Sequence, residues 1–252
     1  MSGENGSTEK PTSGELTGEA GPIGFFGRLV ALFISPGRLM DDVGWAPRWW
    51  QPALLILLAL YGFSWAVMPL SVAEQVENMQ TSIFSKLVPD EAMQMQVDES
   101  RDFTPAKRSK QALIDSVISM TLMILFGLTL GLFAQLSGGR VKYSQALGIC
   151  IWSAIPVFAV NLLVKIPMVF ATESVIRPSV GLAALAPNAE TGSVLFQVLY
   201  NYGDFFTWWG LVLVVIGFRR VFGLALGPAI LSVVVPWVVL TAVPMGLMLL
   251  MM

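Results

Sequence analysis

The stretch that decides the fold is SVISMTLMILFGLTLGLFAQLSGG, residues 116–139. It holds 24 consecutive uncharged residues between Asp115 and Arg140. A helix needs about 20 mostly apolar residues to cross about 30 Å of hydrocarbon. The apolar residues here run on without the alternation of a barrel strand. The stretch therefore predicts a membrane-spanning helix. Charges bound further spans in the same way. Arg48 and Glu74 enclose 25 uncharged residues, Lys142 and Lys165 enclose 22, and nothing after Arg220 is charged. A fourth apolar stretch, Val194–Phe218, is interrupted by Asp204. The reading is an all-α integral membrane protein, a five-span transmembrane helical bundle with spans near 52–70, 113–136, 144–168, 194–218 and 228–250.

Composition agrees. The 252 residues are 55% hydrophobic and 13% charged, about half the charge of a soluble domain. Net charge is −2, which gives no basic footprint for nucleic acid. The absence of histidine removes Ser-His and Cys-His catalysis and His-ligated metals. The single cysteine, Cys150, has no partner for an intrachain disulfide. No nucleophile–base set, phosphate loop or metal cluster is visible, so no catalytic residue, cofactor or metal is expected. An intramembrane enzyme would need a carboxylate pair such as Asp115 with Asp204.

The flanks set direction. Residues 1–21 are polar and Gly/Ser/Thr/Glu-rich, and are expected to be a disordered cytoplasmic tail. Ile23–Ile34 reads as a helix lying on the membrane or packed under the bundle, and Ser35-Pro36 opens a second short helix to about Val43. Trp45, Trp49 and Trp50 form an aromatic belt. The short turns 137–143 and 219–226 carry Arg140, Lys142, Arg219 and Arg220. Under the positive-inside rule they lie in the cytoplasm with the N-terminus, which puts the C-terminus outside. These four cations serve as topology determinants or as contacts to anionic lipid headgroups and partners. Lys107, Arg108 and Lys110 flank the second span on the opposing side. The polar loop 71–111 contains Pro89-Asp90-Glu91, a helix start, and Met93 and Met95, which suit adaptable packing better than a soft metal.

Ionisable groups at membrane depth are functional candidates. Lys165 lies about 34 Å along a helix from Lys142, and Asp115 about 37 Å from Arg140, so both reach the far interface. Asp204 lies only about 22 Å from Arg219. Either the helix sits shallow and Asp204 joins an outer aromatic belt, or Asp204 is buried against Lys165 or Asn161. Gly127 and Gly131 form a small-xxx-small pattern that permits close helix approach, within the bundle or in a homo-oligomer.

Three segments together resemble the Yip-domain family, Ypt/Rab-interacting membrane proteins and their prokaryotic relatives. They are Phe26-Gly27-Arg28-Leu29 through Ser35-Pro36-Gly37-Arg38 to Trp49-Trp50-Gln51-Pro52; Gly138-Gly139-Arg140-Val141-Lys142-Tyr143-Ser144-Gln145 followed by Trp152-Ser153-Ala154-Ile155-Pro156; and Asp204-Phe205-Phe206-Thr207-Trp208-Trp209 running to Arg219-Arg220-Val221-Phe222-Gly223. The resemblance covers roughly residues 22–245. It implies five spans, a cytoplasmic N-terminus and a non-enzymatic membrane scaffold in trafficking, with a membrane-protein or small-GTPase-like partner in eukaryotes. A bacterial inner membrane is the expected location. The rival reading is a small-solute transporter or channel using Asp204, Lys165 and Asn161.

Overall fold

The computed structural model describes residues 23–81, 104–175, 177–186 and 193–250. The expected tail 1–21, the Pro89 helix start and Met93 and Met95 lie outside them. Among the described residues the chain is helical, without strands. A hairpin of two short helices, α1 (Phe25–Ile34) and α2 (Pro36–Trp45), precedes α3 (Trp50–Thr81) and α4 (Pro105–Leu136). Next come α5 (Tyr143–Ile155), a π-helical segment (Pro156–Val160) and α6 (Asn161–Thr172), which form one continuous rod. A 3-10 turn (Leu182–Leu185), α7 (Val194–Tyr202), α8 (Phe205–Phe222) and α9 (Leu226–Leu250) complete the chain.

Among the described residues, four helical stretches are long and apolar enough to span a bilayer: Trp50–Val72, Pro105–Leu136, Tyr143–Thr172 and Phe205–Phe222. Helix α9 has 25 residues, of which Leu226–Ala242 form a further apolar helix. The rod Tyr143–Thr172 is the centre: 61% of its most apolar window is buried, against 11% for Trp50–Val72. The outward faces of α4 and α9 carry exposed leucine, isoleucine and valine, including Leu113, Val117, Leu122, Leu231 and Val239. Such faces suit lipid rather than water.

Small residues set the closest crossings. A Cβ on Gly127 would stand 3.1 Å from Cys150 Cβ, and one on Gly131 3.0 Å from Ala146 Cβ. The small-xxx-small face of α4 is therefore spent inside the chain, against α5. Ser232 of α9 donates to Ser137 Oγ at 2.8 Å and ties α9 to the end of α4. One proline break is answered by the neighbouring helix. Pro69 leaves the Trp65 carbonyl without its helical donor. Arg108 of α4 donates to that carbonyl and, at 3.2 Å, to Ala66 O, while its guanidinium lies 3.9 Å from the Trp65 ring centroid. The wrong-side cation of the charge pattern thus has a structural use.

One expectation is revised and one open choice is decided. The stretch 194–218 is not one helix: α7 ends at Gly203, and Asp204 takes an extended backbone (φ −75°, ψ 123°) as the N-cap of α8. An aspartate at that position satisfies an orphan helix donor, which favours the break. For Ile23–Ile34 the structure decides between the two readings in favour of packing on the bundle. Helix α1 buries Arg28, Ala31 and Leu32 against the bundle and leaves Phe26, Val30, Phe33 and Ile34 exposed. It is docked on one face and apolar on the other.

Candidate functional site

The hairpin, the α4–α5 turn and the α8–α9 turn meet at one end of the bundle. Gln145 of α5 donates to Gly44 O at 2.7 Å, and a Cβ on Gly139 would lie 3.3 Å from Phe222 Cβ. Helix α2 is seated against α5 and α8 through Leu39, Met40 and Val43, all fully buried. The seat depends on bare backbone. A Cβ on Gly217 would stand 2.4 Å from Ile149 Cγ2, and one on Gly148 2.9 Å from Pro47 Cβ.

Inside this end lies a charge. Arg28 is 1% exposed. Its Nε donates to Asp42 Oδ2 at 2.6 Å and its Nη2 to Ala46 O at 2.9 Å, and the guanidinium stands 5.4 Å from the Trp152 ring centroid. Asp42 Oδ1 also accepts from the Ile23 backbone N–H at 3.1 Å. One carboxylate therefore fastens both the start of α1 and its buried cation. Trp152 is nine residues beyond Tyr143, about 14 Å along the rod, so the hairpin wedges into the bundle instead of capping it.

The outer surface of the same end is basic. Arg220 Nη1 pairs with Asp41 Oδ2 at 2.6 Å, both side chains half exposed. The guanidinium lies flat on Gly37, where a Cβ would meet Cζ at 2.8 Å. Arg38, Arg48, Arg140, Lys142 and Arg219 are exposed and form no ion pair with any described residue. Both acids of the hairpin are occupied, so these cations are not neutralised by it.

The other end holds the membrane-depth candidates. Asp204 is 6% and Asn161 5% exposed. Asn161 Nδ2 donates to Asp204 Oδ2 at 2.9 Å, and the Thr207 N–H donates to Asp204 Oδ1 at 2.8 Å. The buried alternative with Asn161 is the one the structure takes. Lys165 does not join it. Its Nζ lies 3.4 Å from Tyr200 Oη and 4.9 Å from that ring's centroid. Asp115 sits elsewhere, accepting from Ser64 Oγ at 3.1 Å and Gln111 Nε2 at 2.8 Å. The four polar candidates are thus one bonded pair and two separate residues, and the two carboxylates serve different helices. Asn161 Oδ1 is buried with no hydrogen-bond partner among the described residues, directly after the π-helical segment.

A family model described as the Yip1 domain matches residues 30–248. The chain belongs to the Yip1 family. No curated protein and no solved structure matches it. In this Yip1-family chain the match begins inside α1 and ends inside α9, so it takes in α2, the basic turns and the α7–α8 break. The chain is accordingly a multi-pass membrane protein of that family.

Sequence reasoning missed Arg28, Asp42 and Gly37. Arg28 and Asp42 are 14 positions apart on different helices, a spacing with no local signature. A cation alone in the apolar run 23–34 was the available signal. For Asp204 the signal was Gly203 before it and Thr207 three residues after, a helix stop followed by a cap.

Proposed function

We propose that this chain is a non-enzymatic membrane scaffold or adaptor that recruits a partner protein at its hairpin end. The observation that carries the reading is the split character of α1. Its charge is turned inward onto Asp42, while Phe26, Val30, Phe33 and Ile34 stay exposed beside unneutralised cations. An exposed apolar stripe bordered by charge is the usual mark of a contact surface. By family resemblance the partner is another membrane protein or a small-GTPase-like protein. The bias of Arg and Lys supports a hairpin end that faces the cytoplasm and a C-terminus that lies outside.

In-cell photo-crosslinking tests this. A crosslinker at Phe26 or Arg219 is expected to give one discrete protein adduct that a crosslinker at lipid-facing Leu122 does not. Lipid adducts alone from all three positions would refute the scaffold. Reporters fused at Met1 and Met252 should fall in different compartments.

A second reading, a solute transporter or channel, draws on one feature: a π-helical segment ending at Asn161, beside buried Asp204. Such segments recur at functional sites. Solute flux into proteoliposomes that Asp204→Asn abolishes would favour it over the scaffold.

A further inference from the structure

Beside Gly37 the hairpin end contains a half-open cleft of about 420 Å³, lined by Gly37, Ile216, Arg219, Arg220 and Leu224. Its chemistry is two-sided. Ile216 and Leu224 supply apolar wall, and two adjacent guanidinium groups supply the rest. Arg220 is held in place. Asp41 occupies its Nη1, and the bare backbone of Gly37 supports its plane, leaving Nε and Nη2 without an acceptor among the described residues. Asp41 is the carboxylate at this rim and offsets part of that charge. Arg219 has no such counter-ion. Two residues after Leu224, α9 begins with exposed apolar side chains, Leu226 and Ile230.

We propose that this cleft binds the headgroup of one anionic phospholipid. The phosphate oxygens would accept from Arg219 and Arg220, as guanidinium forks commonly recognise phosphate. The glycerol and first methylenes would lie on Ile216 and Leu224 and lead onto the α9 surface. A free phosphate would use only the cationic half. The apolar half is what favours an amphiphile. This inference needs no protein partner, so it stands or falls apart from the scaffold reading.

The test is native mass spectrometry of the full chain in detergent with dioleoyl phosphatidic acid or dioleoyl phosphatidylcholine. Retention of phosphatidic acid should exceed that of phosphatidylcholine. Arg219→Gln, which removes no hydrogen bond or ion pair between described residues, should lower it about fivefold, the scale of one surface arginine facing anionic lipid. The double variant R219Q/R220Q should approach the phosphatidylcholine level. Arg140→Gln with Lys142→Gln should stay near wild type. Equal retention by R219Q and wild type would overturn the proposal. So would an equal loss from the Arg140/Lys142 pair, which would mean diffuse attraction. Displacement of the lipid by equimolar glycerol 3-phosphate would mean a soluble phosphate site. Maleimide protection of Cys150 checks that each variant is folded.

Discussion

The two ends of this bundle each bury a charge, and they stabilise it by different means. At the hairpin end Arg28 is met by a full countercharge from Asp42, with a carbonyl and an indole face around it. At the far end Asp204 has no cation against it among the described residues; an amide and a backbone N–H at a helix start take that part. A guanidinium cannot shed its proton, so its burial demands an anion. A carboxylate can be held by oriented dipoles, because helix N-termini favour negative charge. The first arrangement welds two helices together. The second starts a helix. Each leaves one buried polar atom without a hydrogen-bond partner among the described residues, Arg28 Nη1 at one end and Asn161 Oδ1 at the other.

Four substitutions would break or sharpen this contrast, read by the rate at which the single buried thiol, Cys150, becomes open to maleimide. The largest effect is expected from Asp42→Leu. It strands Arg28, and removing one partner of a buried pair costs about 3–5 kcal/mol. The companion Arg28→Leu/Asp42→Leu double variant should recover much of that loss; no recovery would mean the carboxylate acts mainly through the Ile23 N–H. Next is Gly217→Ala, which drives a methyl into Ile149 and should cost about 1–3 kcal/mol by overpacking. Asp204→Ala should follow at about 1–2 kcal/mol, the loss of a cap and one hydrogen bond. A deficit at Asp204 as large as that at Asp42 would erase the difference between the two ends. Smallest is Arg220→Gln, whose exposed pair with Asp41 is worth about 0–1 kcal/mol and should weaken further in high salt.

Much of this was legible in sequence, and for physical reasons. Lipid leaves few choices to a backbone, so runs such as 116–139 announce their helices. Helix ends were also marked: Gly138 and Gly223 hold positive φ where α4 and α8 stop. Asp204 stood out because depth along a helix is simple arithmetic. Its partner was one of two candidates, Asn161 and Lys165; the structure pairs it with Asn161, while Lys165 lies against Tyr200. Arg28 carries no role of its own in the sequence, since nothing local distinguishes an arginine that faces headgroups from one that faces a neighbouring helix. That distinction belongs to tertiary packing, as does the role of Gly37, which matters only because Arg220 lies on it.

The π-helical segment at Pro156–Val160 has a consequence for how this chain tolerates changes in length. A wider turn shifts the angular phase of all that follows, and α6 carries Asn161 at its first position. A π turn holds about one residue more than an α turn, so removing one residue between 156 and 160 would let it close to an ordinary α-helical turn and leave Asn161 close to its present face. The same deletion in the α-helical part of the rod before it, Tyr143–Ile155, would swing Asn161 by about 100° away from Asp204.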